Sequence, residues 1–314
     1  MNIPFVKMHG AGNDYVYVDG FSTNVGEPAR LARAISDRRT GVGADGLIVI
    51  LPSVRGDARM AMFNADGSEG EMCGNGLRCL GKFLFDRGRA GEEMAIETRA
   101  GMTAVRVSAK DENGKARELS VELSAPRFRR SEIPMRLAPN QADEEVLGER
   151  LPLLGLARAS AASAASGTPG KSPAGGHATP TAASGSALLI HAVNLGNPHC
   201  VVFVDDVERY PVTEVGPKVE NHPDFPERTN VSFVEVLSRT ELRQRTWERG
   251  SGETLACGSG AAAVGVIARR QGLVEEGVTI HLRGGDLRVC WKGPGKTVWL
   301  EGPAVEVFTG VFEE

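Results

Sequence analysis

The feature that most constrains the fold of this 314-residue chain is a repeat within it. GNDYVYVD, starting at Gly12, falls on GNPHCVVFVD, starting at Gly196, when the chain is laid over itself with Asn13 on Asn197. The same offset of 184 residues carries Cys73 onto Cys257, and the flanking residues read MCGNG and ACGSG. Two Asn-to-Cys units of equal spacing predict a duplicated domain. Two like halves that face each other leave a cleft, and a cleft is where a site is built.

The length suits this reading, being long for one hydrophobic core and comfortable for two. Short β-branched runs bounded by turn residues predict strands at 15–18, 47–51, 59–63, 103–107, 118–123, 201–204, 231–236 and 298–300. Helices are expected at 28–38, 76–87 and 259–270, which makes the fold class α/β (α+β). Residues 159–187 consist of Ala, Ser, Gly, Thr and Pro, interrupted by Lys171 and His177. With no side chain large enough to bury apolar area, the stretch cannot offset its own ordering entropy. It is expected to be a flexible surface insertion beginning near residue 140, with His177 an exposed loop histidine.

Hydrophobic content of 41% and charged content of 24% are those of a soluble globular protein. A net charge of −4 without a basic stripe argues against nucleic acid and against an anionic membrane surface. The longest apolar runs are too short to span a bilayer. The N-terminus lacks the apolar core of a secretory signal, so a cytoplasmic location is expected. Cysteines 73, 79, 200, 257 and 290 form no CxxC pair and should be free thiols in a reducing compartment.

Cys73 lies in DGSEGEMCGNG, where a Gly-rich turn opens a predicted helix. Unpaired N–H groups and the helix dipole there favour a thiolate, and the N–H groups of Gly74, Asn75 and Gly76 suit a carboxylate. Cys257, followed by Gly258 and Ser259, repeats the arrangement. One such cysteine alone reads as a small buried hydrophobe. Two in matching halves read as a pair of bases. Inverting a stereocentre requires removing a proton from one face and returning one to the other, which two thiols accomplish by exchanging acid and base roles. Two other patterns lead nowhere. GVGADG at 41–46 matches a dinucleotide motif but follows a helix and precedes a strand, the reverse of the required order. Cys73, Cys79, Cys257 and His199 lack the ligand-pair spacing of a zinc site.

MHGAGNDYVYVDG (8–20), GVGADGL (41–47), NADGSEGEMCGNGLRC (64–79), GNPHCVVFVDD (196–206), FPERTNVSF (225–233) and ERGSGETLACGSGAAA (248–263) resemble the diaminopimelate epimerase family. The resemblance covers nearly the whole chain except the insertion. It implies an isomerase that interconverts LL- and meso-diaminopimelate for lysine and peptidoglycan synthesis, with no pyridoxal phosphate, metal or other cofactor. It also implies two pseudo-symmetric domains, each a mostly antiparallel sheet around a central helix, and a homodimer. The domains would be 1–125, joined by a returning tail at about 302–314, and 126–301, carrying the insertion at about 141–187.

Carried over residue by residue, the resemblance makes Cys73 and Cys257 the catalytic bases. Gly74, Asn75, Gly258 and Ser259 would hold the α-carboxylate. Asn13, Asn64, Asn197, Asn230, Glu248 and Arg249 would be the other substrate contacts, with His199 and Glu248 modulating the thiol pKa values. Gly46 stands where some relatives have a Gln that lines the pocket. Three alternatives stay open: a sister racemase of proline, hydroxyproline or histidine; an isomerase or dehydratase on the same fold; and a thiol redox or binding protein. Asn75 stands where hydroxyproline-type relatives have His, and both thiols are present here, where some isomerases lack one.

Overall fold

The structure is a computed structural model and describes residues 2–138, 142–153 and 187–313. The first half runs β1 (Asn2–Gly10), β2 (Asn13–Asp19), α1 (Pro28–Ser36), β3 (Gly46–Leu51), β4 (Ala58–Asn64), β5 (Glu69–Gly70), α2 (Gly74–Asp86), β6 (Glu93–Thr98), β7 (Gly101–Lys110) and β8 (Ala116–Leu123). The second runs β9 (Leu147–Pro152), β10 (Ala187–Asn194), β11 (Pro198–Phe203), α3 (Val212–Glu220), β12 (Asn230–Val236), β13 (Glu241–Glu248), β14 (Gly252–Thr254), α4 (Gly258–Arg270), β15 (Gly277–Leu282), β16 (Gly285–Trp291), β17 (Val298–Pro303) and β18 (Val305–Glu313). Moved by the same 184 residues, α1, α2 and β6 coincide end for end with α3, α4 and β15.

The ladders repeat as well. β2–β3 is parallel, β3–β4 antiparallel and β4–β6 parallel, and β11–β12, β12–β13 and β13–β15 follow in the same senses. The halves join through β8 and β17, antiparallel from Leu123↔Val298 to Glu118↔Pro303. β18 runs antiparallel along β1, so it holds beside β1 the place that β9 holds beside β10.

Three cores result. β3, GLIVIL, is apolar throughout because both its faces are covered. Leu47 and Val49 join the outer core beneath α1, while Ile48 and Ile50 join the inner core around α2 and α4. A corresponding outer core lies beneath α3. α2 is buried without a break from Asn75 to Leu84, and α4 from Gly260 to Ala268. A helix buried on every side is enclosed by its surroundings, and here sheet residues supply the enclosure.

Several boundaries differ from expectation. α1 ends at Ser36, two residues early, where the Asp37 carboxylate accepts the N–H groups of Arg39 and Thr40. α2 begins at Gly74 rather than 76, which makes Cys73 its N-cap. Residues 142–153, expected within the insertion, instead carry β9, paired in register with β10 from Ala187↔Pro152. The strand is held by the burial of Leu151 and its ladder rather than by any apolar run in LGERLP. Residues 154–186, including His177, lie outside the described residues.

Candidate active site

Cys73 has the extended backbone of an N-cap (φ −132°, ψ 119°), and its sulfur accepts the Gly76 N–H at 3.4 Å. A thiol thus occupies the place where Ser or Asp usually caps a helix. The Cys73 S–H donates to Asn13 Oδ1 at 3.5 Å. Asn13 is held in turn by its own amide, which donates to Asp45 Oδ2 at 2.7 Å. Asn75 Nδ2 reaches the same Asn13 oxygen at 3.4 Å, and the buried Tyr15 hydroxyl is hydrogen-bonded to the sulfur. Burial raises the Cys73 pKa, opposed by the N–H groups of Gly76 and Asn75, by Tyr15 and by the Arg78 charge. The expectation that a helix start alone would lower this pKa is therefore corrected. Desolvation outweighs the helix N–H groups here.

Cys257 caps α4 with a similar backbone (φ −129°, ψ 109°) but sits in different company. Its sulfur lies 3.7 Å from Ser259 Oγ and is hydrogen-bonded to the Glu248 carboxylate. Burial and then the Glu248 charge push its pKa well up, further than that of Cys73. Glu248 also accepts from Thr254 Oγ1 at 2.5 Å, and its own pKa is raised by burial. Behind Cys257 runs a chain of bonds. Asn197 Nδ2 reaches Ser259 Oγ at 3.4 Å, and Asn197 Oδ1 lies 2.9 Å from His199 Nε2. His199 is wholly buried, and its pKa falls to about 3 through burial and then the Arg249 charge, so the ring is neutral. A neutral ring facing a carbonyl oxygen carries its proton on Nε2.

The two helix starts meet. A Cβ at Gly74 would stand 3.4 Å from Leu300 Cδ2, and one at Gly258 only 3.2 Å from that atom and 3.3 Å from Asn75 Oδ1. Glycine at both first positions allows the two N-termini to approach. A cavity of about 880 Å³ is lined by bond partners of both cysteines, Asn13 and Tyr15 from one half and Glu248 from the other, together with Asp45, Asn64 and Thr254. Asn64 closes β4 and donates to Ser68 Oγ at 2.9 Å. Asn230 is buried, donating to the Pro198 carbonyl and accepting the Arg249 N–H at 3.0 Å. Arg249 itself is exposed, donating to the Glu227 carbonyl. Of the expected site residues, Cys73, Gly74, Asn75, Cys257, Gly258 and Ser259 lie at the two caps, Asn13, Asn64 and Glu248 on the cavity wall, and Asn197 is bonded to Ser259, whereas His199, Asn230 and Arg249 stand behind them and touch neither a cap nor the wall.

Gly46 departs from expectation. It is covered by the Tyr15 ring, and a Cβ there would strike the Phe63 carbonyl oxygen at 2.2 Å, so a longer side chain would not reach the cavity on this backbone. Tyr15, Asp45, Thr254 and Arg78 were not singled out from sequence. Tyr15 was within reach, since the repeat offset carries it onto His199. GVGADG connects α1 to β3, which is not the order that binds a dinucleotide. Cys79 and Cys200 are buried, and all five cysteines are free. Among the described residues no cluster of His, Cys, Asp and Glu has a metal-binding arrangement, and no helix is long and apolar enough to cross a membrane.

A model of the family described as diaminopimelate epimerase matches residues 5–124 and 191–307. Curated diaminopimelate epimerases are similar over almost the full length. That of Moorella thermoacetica is 44% identical over 310 residues, 98% of each chain, and that of Acetivibrio thermocellus 41% over 307 residues, 98% and 97%. The chain belongs to the diaminopimelate epimerase family. Its two matched segments contain the two caps, and the gap between them contains β9 and residues 154–186. The diaminopimelate epimerase family shares its fold with more distant proteins. A PhzF-family phenazine biosynthesis protein of Bacillus anthracis covers both chains fully at a TM-score of 0.65 and 17% identity. A hydroxyproline epimerase of Agrobacterium vitis covers 99% and 92% at 0.59 and 15%.

Proposed function

We propose that this chain is a diaminopimelate epimerase, an isomerase that interconverts LL- and meso-2,6-diaminopimelate by proton transfer between two thiols and the α-carbon. The observation that carries the mechanism is the pair of cysteines capping equivalent helices 184 residues apart, with the helix starts in contact. Burial holds both thiols up, but Cys73, facing donors and a cation, is the readier to ionise and serves as the base, and Cys257, facing Glu248, as the acid. The Cys73 thiolate removes the α-proton from one face, and the Cys257 S–H delivers its proton to the other. Cys73 is left as the thiol and Cys257 as the thiolate, the pair that runs the reverse direction. Charge on the planar carbanion spreads into the α-carboxylate, where the N–H groups of Gly74, Asn75, Gly258 and Ser259 receive it. Such preorganised donors are worth about 3 kcal/mol each.

Asn13, Asn64, Asn197, Asn230, Glu248 and Arg249 form the remaining contacts in this reading, Arg249 pairing with the distal carboxylate. His199 acts through Asn197 and Ser259 on Cys257. The reaction uses no cofactor and takes place in the cytoplasm. The halves, 1–125 with the tail and 126–301, form two domains that enclose the substrate. A homodimer is supported by Val305, Val307, Phe308 and Val311, left exposed along β18.

Incubation with LL-diaminopimelate in D₂O, followed by NMR and chiral chromatography, tests the function. The parent should yield meso product deuterated at the α-carbon, and Cys73→Ser and Cys257→Ser should each lose at least about a hundredfold in rate. Exchange with a different amino acid in place of diaminopimelate would overturn the substrate and leave the two-thiol mechanism. Undiminished turnover in either variant would overturn the mechanism.

A further inference from the structure

Among the described residues, Arg78 is a buried cation with no carboxylate in contact. It is wholly inaccessible, its Nη2 donates to Asn75 Oδ1 at 2.6 Å and its Nε to the Pro303 carbonyl at 3.3 Å, and Nη1 finds no partner among the described residues. A guanidinium without a counter-ion is costly to bury. The slot is shaped for it. A Cβ at Gly10 would stand 3.0 Å from Nη2, and one at Gly302 3.4 Å from Cζ. From this slot a relay leads to the reacting sulfur. Arg78 holds the Asn75 oxygen, the Asn75 amide reaches Asn13 Oδ1 at 3.4 Å, and that oxygen accepts the Cys73 S–H.

The repeat makes the placement informative. The offset that carries Cys73 onto Cys257 carries Arg78 onto Ala262, and Asn64 onto Glu248. One thiol therefore has a buried cation nearby and an amide where the other has a carboxylate. The titratable groups facing Cys73 are Tyr15 and Tyr17 from β2 and Cys79 and Arg78 from α2, and Arg78 alone among them is cationic. The group facing Cys257 is Glu248 from β13.

We propose that Arg78 is a positioning residue that makes Cys73, rather than Cys257, the readier of the two thiols to ionise, by placing a positive charge behind it and fixing Asn75 beside it. This rests on the two-thiol reading above, but its test needs no turnover. The full-length protein is alkylated with iodoacetamide across neutral to alkaline pH, and the Cys73 and Cys257 peptides are quantified separately by mass spectrometry. In the parent the midpoint for Cys73 lies below that for Cys257, and the opposite order overturns the proposal without needing a variant. Arg78→Met should raise the Cys73 midpoint by about one pH unit, a tenfold loss of thiolate at fixed pH, and leave that of Cys257 in place. Arg78→Lys, which keeps the charge, should recover most of the shift. Unchanged midpoints in Arg78→Met, or an equal movement of both thiols, would show a purely structural arginine and overturn the proposal. Absence of epimerisation with any amino acid would sink the functional reading and leave the alkylation order to decide the role of Arg78.

Discussion

His191 and His199 are buried as neutral rings, with pKa values pushed down to about 4 and about 3, in both cases by burial first. Both folded values lie below the unfolded value of 6.5, so the unfolded chain takes up these protons first as pH falls. Their contribution to stability is complete above the unfolded pKa and is lost as pH drops from 6.5 towards 4 and 3. Each adds a slope of up to ~1.4 kcal/mol per pH unit in that window. Urea denaturation midpoints at neutral and mildly acidic pH should therefore show a shallower loss for His199→Gln, whose amide can still donate to Asn197, than for the parent. Parallel pH dependence in the two proteins would mean that His199 is not held neutral. At this scale the repeat revealed Cys73 with Cys257 and Asn13 with Asn197 because it preserves their identity, while Asn64 and Asn230 came only from the family motifs, since the repeat sets Glu248 and Gly46 opposite them. Tyr15 and Asp45 escaped because the repeat preserves only their positions. Opposite Tyr15 stands His199, and opposite Asp45 stands Thr229.

The central helices show how the elements constrain one another. Gly81 in α2 and Gly265 in α4 are equivalent under the offset, and both lie where the helix comes closest to the sheet. A Cβ at Gly81 would stand 2.7 Å from Val105 Cγ1, and one at Gly265 2.6 Å from Val289 Cγ1 and 2.8 Å from its Cβ. Alanine gains about 1 kcal/mol over glycine in a helix interior, whereas overpacking a dense core costs about 1–3. The core term should win at Gly265, where the obstruction includes a β-carbon fixed to its strand. Gly265→Ala should lower stability by about 1–2 kcal/mol in chemical denaturation, and a stabilised variant would show that α4 has room to shift. The central helices were legible because small and apolar residues dominate after each cysteine, broken in α2 by Asn75, Arg78 and Lys82. Strands such as β13, ELRQRTWE, were not, because their buried positions are polar. Gln244 Nε2 donates to Ser232 and Thr246, and Arg245 pairs with Glu253, in place of apolar packing.

For the whole molecule, β18 is the element with the most unmet surface. It pairs with β1 and leaves Val307, Phe308 and Val311 about half exposed, at 50%, 46% and 59%. An apolar edge of this kind in a chain of 33.3 kDa is expected to be covered by a second copy. Analytical ultracentrifugation should give twice the chain mass for the parent and the single mass for Val307→Asp combined with Val311→Asp. A monomeric parent would leave these residues without a partner and refute the homodimer. The duplication was visible in the sequence before any strand was known, since spacing survives where side chains diverge. The return of the last strand to the first was legible only through the family resemblance, because no motif of its own marks a strand whose partner lies about 300 residues away in the chain.

The β9–β10 ladder brings Pro152 and Ala187 face to face, so the chain leaves and re-enters the fold at neighbouring points. Sequence added at such a port has a small closure cost, each doubling in length amounting to only ~0.6 kcal/mol. A lineage is thus free to lengthen, shorten or replace residues 154–186 as it would the cargo on a hook, and an engineer can attach a tag or a second protein there while both caps stay as they are.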